Sequence, residues 1–252
     1  MINGSKGKVL IDGDIVAYRA AFATQDQTPD DAVTKVDELM TFIIEKTVDI
    51  PFASSGDYNT YLTGKGNFRY DIAKAAPYKG NRAEVAKPIH LSLCRDYMVE
   101  NYQAIVSYGE EADDLISKAA AALDYNCVVA SIDKDMLQLP CWHFNFGKNE
   151  WTKVEPIEGI RFFYSQILTG DRADNIIGLY GIGPKKAEKL LQDCNTEEDM
   201  WEVVINAYMN LSPDKRGDKD YPVWKYAEDR VKENGRLLWL RRHEGEIWEA
   251  PK

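Results

Sequence analysis

Two short apolar runs in this chain end on paired carboxylates. Val9–Leu10–Ile11 closes on Asp12 and Asp14, and the run 128–132 closes on Asp133 and Asp135. A brief run without polar alternation reads as a strand buried on both faces, which belongs in a parallel sheet covered by helices. In such open sheets the chemistry gathers beyond the carboxyl ends of the strands. A third apolar run, 104–106, leads through Gly109 into Glu110–Glu111–Ala112–Asp113–Asp114, and a fourth acidic group is Asp171–Arg172–Ala173–Asp174.

The spacing predicts helices over 31–49, 88–101 and 111–123, a further strand over 58–62, and an edge hairpin from 143–146 and 151–154. Strands alternating with helices give an α/β class with a mostly parallel sheet. After Glu158 the pattern turns helical, over 159–168, 184–191 and 197–209. An α/β domain is therefore expected over 1–158, carrying a basic segment at 65–87. A helical domain is expected over 159–252, with a hairpin at 176–192, a charged loop at 214–220, and residues 237–240 packing a C-terminal element onto the core.

The 252 residues carry 31 Lys and Arg against 41 Asp and Glu, a formal charge of −10. Bulk charge of this sign argues against a protein that coats nucleic acid or anionic membrane. No apolar run approaches the roughly 20 residues of a bilayer span, and the polar start shows no signal peptide. Cys94, Cys127, Cys141 and Cys194 are widely spaced and only three histidines are present, which disfavours a zinc site or a disulfide framework. The expectation is a soluble protein of a reducing compartment with no membrane partner.

Taken singly, each acidic group reads as a turn signal or a helix cap. Together they are harder to dismiss. Glu111 and Asp114 stand three apart on a predicted helix with Asp113 between them. Buried like charges about 4 Å apart repel by about 4 kcal/mol at an effective dielectric near 20. A hard divalent cation neutralises such a group, and oxygen donors without His or Cys select Mg²⁺ or Mn²⁺. Carboxylates converging from several strands suit two ions about 3.5–4 Å apart, an arrangement that serves phosphoryl transfer.

The most specific local signal is the stretch 177–187, Ile-Gly-Leu-Tyr-Gly-Ile-Gly-Pro-Lys-Lys-Ala. Gly181 and Gly183 permit a tight turn and close backbone approach, and Pro184 suits the first helical position. The N–H groups of that helix start, with Lys185 and Lys186, form a phosphate site. This is the helix-hairpin-helix pattern of sequence-independent DNA binding. Upstream, Lys65, Arg69, Lys74, Lys79, Arg82 and Lys87 outnumber Asp71 and Glu84, with Phe68, Tyr70 and Tyr78 interleaved. Cations mixed with aromatics suit single-stranded nucleic acid, although a solvated charged loop has the same composition.

With these motifs in order, the chain resembles the flap-endonuclease family of 5′-nucleases, particularly bacteriophage 5′–3′ exonucleases. The resemblance rests on Ile11–Asp12–Gly13–Asp14 with Arg19, Tyr78–Lys79–Gly80–Asn81–Arg82, Glu111–Ala112–Asp113–Asp114, Ser131–Ile132–Asp133–Lys134–Asp135, and Gly170–Asp171–Arg172–Ala173–Asp174–Asn175 leading into the hairpin. It covers roughly residues 8 to 192. It implies a PIN-like α/β fold and a two-metal site of Asp12, Glu111, Asp113, Asp114, Asp133, Asp135, Asp171 and Asp174. Lys79 and Arg82, at the base of an arch, would meet the scissile phosphate, with Tyr78 beside them and Arg19 contacting substrate. Gly181, Gly183, Lys185 and Lys186 would hold duplex DNA, and the hairpin carbonyls are a candidate K⁺ site.

The family usually has a further metal-binding Asp after its second strand, and Gly64 falls near that position here. Asp14 is expected to replace it in part, since Asp12 and Asp14 share a face if the strand continues. The implied activity is a Mg²⁺-dependent 5′-nuclease of DNA replication, with Mn²⁺ as a substitute metal. It would act as a monomer on DNA with free 5′ ends or 5′ flaps, and on RNA–DNA hybrids, in the cytoplasm (that of a bacterial host for a phage protein). Asp135 is expected to be essential for cleavage. Two alternatives remain open: a catalytically silent, structure-specific DNA-binding protein, and a Mg²⁺ phosphatase using Asp12 and Asp14. Ten carboxylates, Asp12, Asp14, Glu110, Glu111, Asp113, Asp114, Asp133, Asp135, Asp171 and Asp174, equal the whole acidic surplus. Without them 31 acids face 31 bases.

Overall fold

The computed structural model describes residues 7–48, 53–82, 86–211 and 222–251. The loop expected at 214–220 and Glu84 lie outside them. In chain order the first elements are β1 (Gly7–Asp12), α1 (Gly13–Ala23), α2 (Pro29–Val48), β2 (Ala53–Lys65), the single turn α3 (Arg69–Ile72), α4 (Leu91–Tyr102), β3 (Ile105–Tyr108), α5 (Ala112–Ala122), β4 (Cys127–Ala130), β5 (Trp142–Asn145) and β6 (Glu150–Lys153). Then follow α6 (Pro156–Thr169), β7 (Gly170–Asp171), β8 (Ile176–Ile177), α7 (Pro184–Leu191), α8 (Glu197–Met209) and α9 (Val223–Leu238).

The chain divides into two compact units. One comprises Met1–Asn67, Ala86–Glu155 and Leu240–Glu244, and the other Phe68–Val85, Pro156–Trp239 and Gly245–Lys252. The division differs from the expected one in two places. Most of the basic segment groups with the helical unit, and Leu240–Glu244 returns to the α/β unit. The first difference has a visible cause. Arg69, 2% exposed, donates from Nε to Leu237 O (2.8 Å) and from Nη2 to Trp239 O (2.9 Å), so α3 is tied to the end of α9.

The α/β unit holds a six-stranded sheet in the order β3-β2-β1-β4-β5-β6. All neighbouring pairs are parallel except β5 and β6. Strand alternation divides the central residues between two faces. Val9, Ile11, Val128 and Ala130 pack with residues of α1, α2 and α4, whereas Leu10 and Val129 pack with Ala112, Ile116 and Ala120 of α5. Connections leave β1 toward β2 on one side and its other neighbour is β4, so the order reverses between β1 and β4. The crevice beyond such strand ends is where open sheets bind ligands. Ile11 pairs with Ala130, so Asp12 and Ser131 are the next residues out of the paired ends.

Strand β1 does not run on to Asp14. It ends at Asp12, whose Oδ1 accepts from Ile15 N (3.2 Å) as the N-cap of α1. Asp12 and Asp14 therefore occupy a cap and a first helical turn, not one face of a strand.

The helical unit packs α6, α7, α8 and α9 around Phe163, Ile167, Leu191, Val204 and Val231. Phe163 meets Trp239 and Trp248 at centroid separations of 4.9 and 5.4 Å, both edge-on. Gly235 is required there, because a Cβ on it would lie 2.3 Å from the Trp248 ring. The residues expected to pack back at 237–240 are all buried. Leu237, Leu238 and Trp239 lie in this core and Leu240 in the α/β unit. Among the described residues no helix is long and apolar enough to cross a membrane.

Candidate metal centre and nucleic-acid interface

In the α/β unit the acidic groups sit where the strands end. Asp12 is 2% exposed. Its Oδ2 accepts from Ser131 Oγ (2.6 Å), and that hydroxyl in turn accepts from Asp133 N (2.9 Å). Asp133 Oδ1 accepts from Asp135 N (2.9 Å) and caps the short 3-10 turn Lys134–Gln138. Burial pushes the Asp12 carboxyl up to about 7. The Asp14 and Asp133 charges add to this, against the lowering bonds from Ser131 and Ile15 N. A buried carboxylate crowded by two others is the environment that a cation relieves.

The remaining acids are held by the chain itself. Glu111 precedes α5 as its N-cap and is 8% exposed. Asp114, wholly buried, accepts from Glu111 N (3.1 Å) and Arg241 N (3.2 Å). The resemblance assigned Asp114 to the metal set, but both of its oxygens serve backbone groups. Lys134 Nζ lies 3.0 Å from Asp135 Oδ1. Glu110 is not a solvated acid. It is 5% exposed and ion-paired with Lys118. As these side chains stand, no three acidic, His or Cys groups among the described residues are grouped closely enough to hold a metal ion. Both Asp12 oxygens and one oxygen each of Asp133 and Asp135 are turned to internal donors. The oxygen-only donor chemistry of Asp12, Glu111, Asp113, Asp133 and Asp135 fits a hard divalent cation.

Asp14 does not take the role expected of it. Its carboxylate pairs with the Arg95 guanidinium and accepts from Thr63 N (2.9 Å). Arg95 also donates to Thr63 O, and Thr63 Oγ1 accepts from Ala112 N (2.9 Å). Gly64 has no room for a side chain, since a Cβ there would lie 1.9 Å from Ser107 O on the neighbouring strand. The acid missing at this position is sterically excluded, and an arginine neutralises the nearest one. Arg95 was invisible as a functional group in the sequence. Its helical position gave no signal, because its partners lie 81 and 32 residues away in the chain.

In the helical unit two of the motifs dock on each other. Tyr78 OH donates to Asp174 Oδ2 (2.7 Å), Arg82 Nη2 to Asp174 Oδ1 (2.6 Å) and Arg82 Nε to Ala173 O (2.8 Å). Asn81 Nδ2 reaches Arg172 O (2.7 Å), and Lys79 Nζ lies 3.7 Å from Asp174 Oδ1. Lys79 adopts φ +53° and donates its N–H to Asp174 O (2.9 Å), a left-handed conformation held by this docking. Tyr78, expected on the nucleic-acid surface, is 4% exposed and faces the protein. Asp171 Oδ1 accepts from Ala173 N (2.6 Å) and so closes its own turn.

The hairpin follows the ladder of β7 and β8. Gly181 adopts φ +78° with open space where a Cβ would stand, and Gly183 is the N-cap of α7 ahead of Pro184. Lys185 and Lys186 are exposed. Lys186 Nζ donates to Gly181 O (2.8 Å), so one of the carbonyls considered for K⁺ is bonded to an ammonium. In the α/β unit Arg19 is exposed, with its guanidinium 5.9 Å from the Phe146 ring centroid.

The family model described as 5′–3′ exonuclease, N-terminal resolvase-like domain, matches residues 8–157. The chain belongs to the 5′–3′ exonuclease family. DNA polymerase I of Bacillus caldotenax is 32% identical over 223 residues, covering 77% of this chain and 24% of that protein. The 5′–3′ exonuclease of Mycoplasma pneumoniae is 26% identical over 220 residues, covering 78% and 75%. The chain thus spans about a quarter of the length of the DNA polymerase I relatives it matches. Among solved structures, the 5′-exonuclease of bacteriophage T5 with zinc bound superposes with a TM-score of 0.64 at 16% identity, over 92% of this chain and 89% of that one. The catalytic core of Rad2 in complex with DNA substrate gives 0.51 at 15% identity, over 91% and 72%. These likenesses show that this 5′–3′ exonuclease family member has their fold.

Proposed function

We propose that the chain is a Mg²⁺-dependent 5′-nuclease, able to use Mn²⁺, that hydrolyses phosphodiesters of DNA with a free 5′ end or a 5′ flap. Replication, including removal of RNA primers, is the setting that suits this activity, and a monomer suffices for it. The observation that carries the reading is Asp12, buried beside Asp14 and Asp133 at the ends of the two central strands. Asp12, Glu111, Asp113, Asp133 and Asp135 would hold the metal in the α/β unit. Bound divalent ions supply water activation and charge stabilisation in phosphoryl transfer.

The chain's own part is to bind and orient. Ser131 fixes the Asp12 carboxylate. Lys79 and Arg82, held in place through Asp174, would stabilise charge developing on the phosphate. The α7 N-terminus with Lys185 and Lys186 would grip the DNA backbone without reading bases. A catalytically silent DNA-binding protein is the second reading, favoured by the excluded side chain at Gly64.

A cleavage assay on 5′-labelled flap, nicked, blunt and RNA-primed duplexes separates them. Cleavage with Mg²⁺ and none with EDTA is expected, and Asp135→Asn should abolish it while retaining DNA binding. Binding without cleavage of any substrate would establish the silent protein instead.

A further inference from the structure

Three aromatic rings lie in the cationic segment, and the structure treats them differently. Phe68 is half-buried with the Arg69 guanidinium 4.6 Å from its ring centroid. Tyr78 is buried and donates to Asp174. Tyr70 is 58% exposed. It stands edge-on to Tyr78, with centroids 5.6 Å apart and planes at 74°. Lys79 Nζ lies 5.2 Å from the Tyr78 ring centroid, and the Arg82 side chain is 49% exposed.

We propose that Tyr70 is a stacking platform for a base of single-stranded 5′ DNA, with Lys79 and Arg82 receiving the adjoining phosphates; this deepens the nuclease reading and rests on it. An exposed tyrosine alone means little. Here the ring is braced by a second aromatic, so holding it in place on binding costs little side-chain entropy. The backbone between Tyr70 and Tyr78 is pinned as well. Glu233 Oε1 accepts from Lys74 N (2.7 Å) and Ala75 N (2.8 Å), and Asn175 Nδ2 donates to Pro77 O (2.9 Å). The platform is rigid, open and next to cations, which is the combination that binds single strands without sequence preference. The buried Arg69 is excluded from this role, since its donors serve Leu237 and Trp239.

The test uses the full chain in EDTA and a 5′-flap duplex with 2-aminopurine in the flap. Wild-type protein and Tyr70→Phe should both quench the probe on binding. Tyr70→Leu and Tyr70→Ala should lose the quench and bind the flap about 5- to 160-fold more weakly, the range for one base–aromatic stack. Affinity for a blunt duplex should stay unchanged in all variants. Tyr70→Leu matching wild type in quench and flap affinity would overturn the proposal. Metal-dependent flap cleavage by wild type, scored separately, tells the two readings apart. If it persists while the Leu variant binds normally, only the stacking role falls, and a wild type that neither binds nor cleaves flaps removes both.

Discussion

Asp12→Asn should stabilise the metal-free protein, and more so at high pH than at low. The carboxyl titrates near 3.8 in the unfolded chain and at about 7 in the folded one. Between those values the folded state binds more protons than the unfolded state. Stability therefore falls as pH rises from about 4 to about 7 and is flat above. The full shift of about three units amounts to about 4 kcal/mol at ~1.36 kcal/mol per unit, an upper bound for a group coupled to two other acids. From about pH 5 upward roughly two units of that window remain, or about 2.7 kcal/mol. The Asn variant removes the charge and keeps an oxygen for Ile15 N. The Ser131 bond favours the charged form and is already contained in the net shift. Thermal melts in EDTA at about pH 5 and about pH 8 should show the variant gaining roughly 5–10 °C more at the higher pH. Added Mg²⁺ should then stabilise wild type and not the variant. Equal gains at both pH values would refute the burial argument, and Mg²⁺ stabilising both proteins alike would remove Asp12 from the metal set.

Two further outcomes follow from packing. Installing the acid that the family pattern asks for, Gly64→Asp, should not improve metal use but should destabilise the chain by about 3 kcal/mol or more, because its Cβ meets Ser107 O; urea unfolding measures it, and a neutral result would show that β2 and β3 can part there. Arg69→Met should cost about 3 kcal/mol, since it leaves the Leu237 and Trp239 carbonyls without their charged donor, and denaturant unfolding of the helical unit by Trp fluorescence should reveal it.

Much of the fold was legible because its signals are local. The apolar runs at β1 and β4, the helical spacing of α2 and α5, and the start of α7 at Pro184 all depend on neighbours within a few residues. Helix α1 was missed. Its sequence Gly-Asp-Ile-Val-Ala-Tyr-Arg-Ala-Ala-Phe-Ala follows a strand so closely that a turn, a cap and a continuing strand were all compatible with Asp12 and Asp14, and Asp12 is the cap of a helix. Helix α9 was read only at its end, because its amphipathic stripe is polar on the outside and its partners, Arg69 and Trp248, come from distant segments. For the site, the motifs could be located but not their contacts. That Tyr78, Lys79 and Arg82 meet Asp174 is a pairing across more than 90 residues, which no spacing rule reaches.

The acidic surplus shows how such pairings change a charge argument. Ten carboxylates match the net charge of −10, yet they are not one ion site. Glu110 is neutralised by Lys118 and Asp14 by Arg95, both within the protein. Asp114 is committed to backbone N–H groups. Asp174 carries Arg82, Lys79 and Tyr78, so it couples the basic segment to the acidic motif instead of simply adding negative charge. What remains concentrated is Asp12 with Asp133 at the ends of β1 and β4, joined through one serine hydroxyl. Strand register sets this up, since Ile11 opposite Ala130 makes Asp12 and Ser131 the next residues out, and the Ser131 hydroxyl links Asp12 to Asp133. The argument for a metal thus rests on the register of two central strands more than on the number of acids, and moving either carboxylate by one residue would break it while leaving composition unchanged.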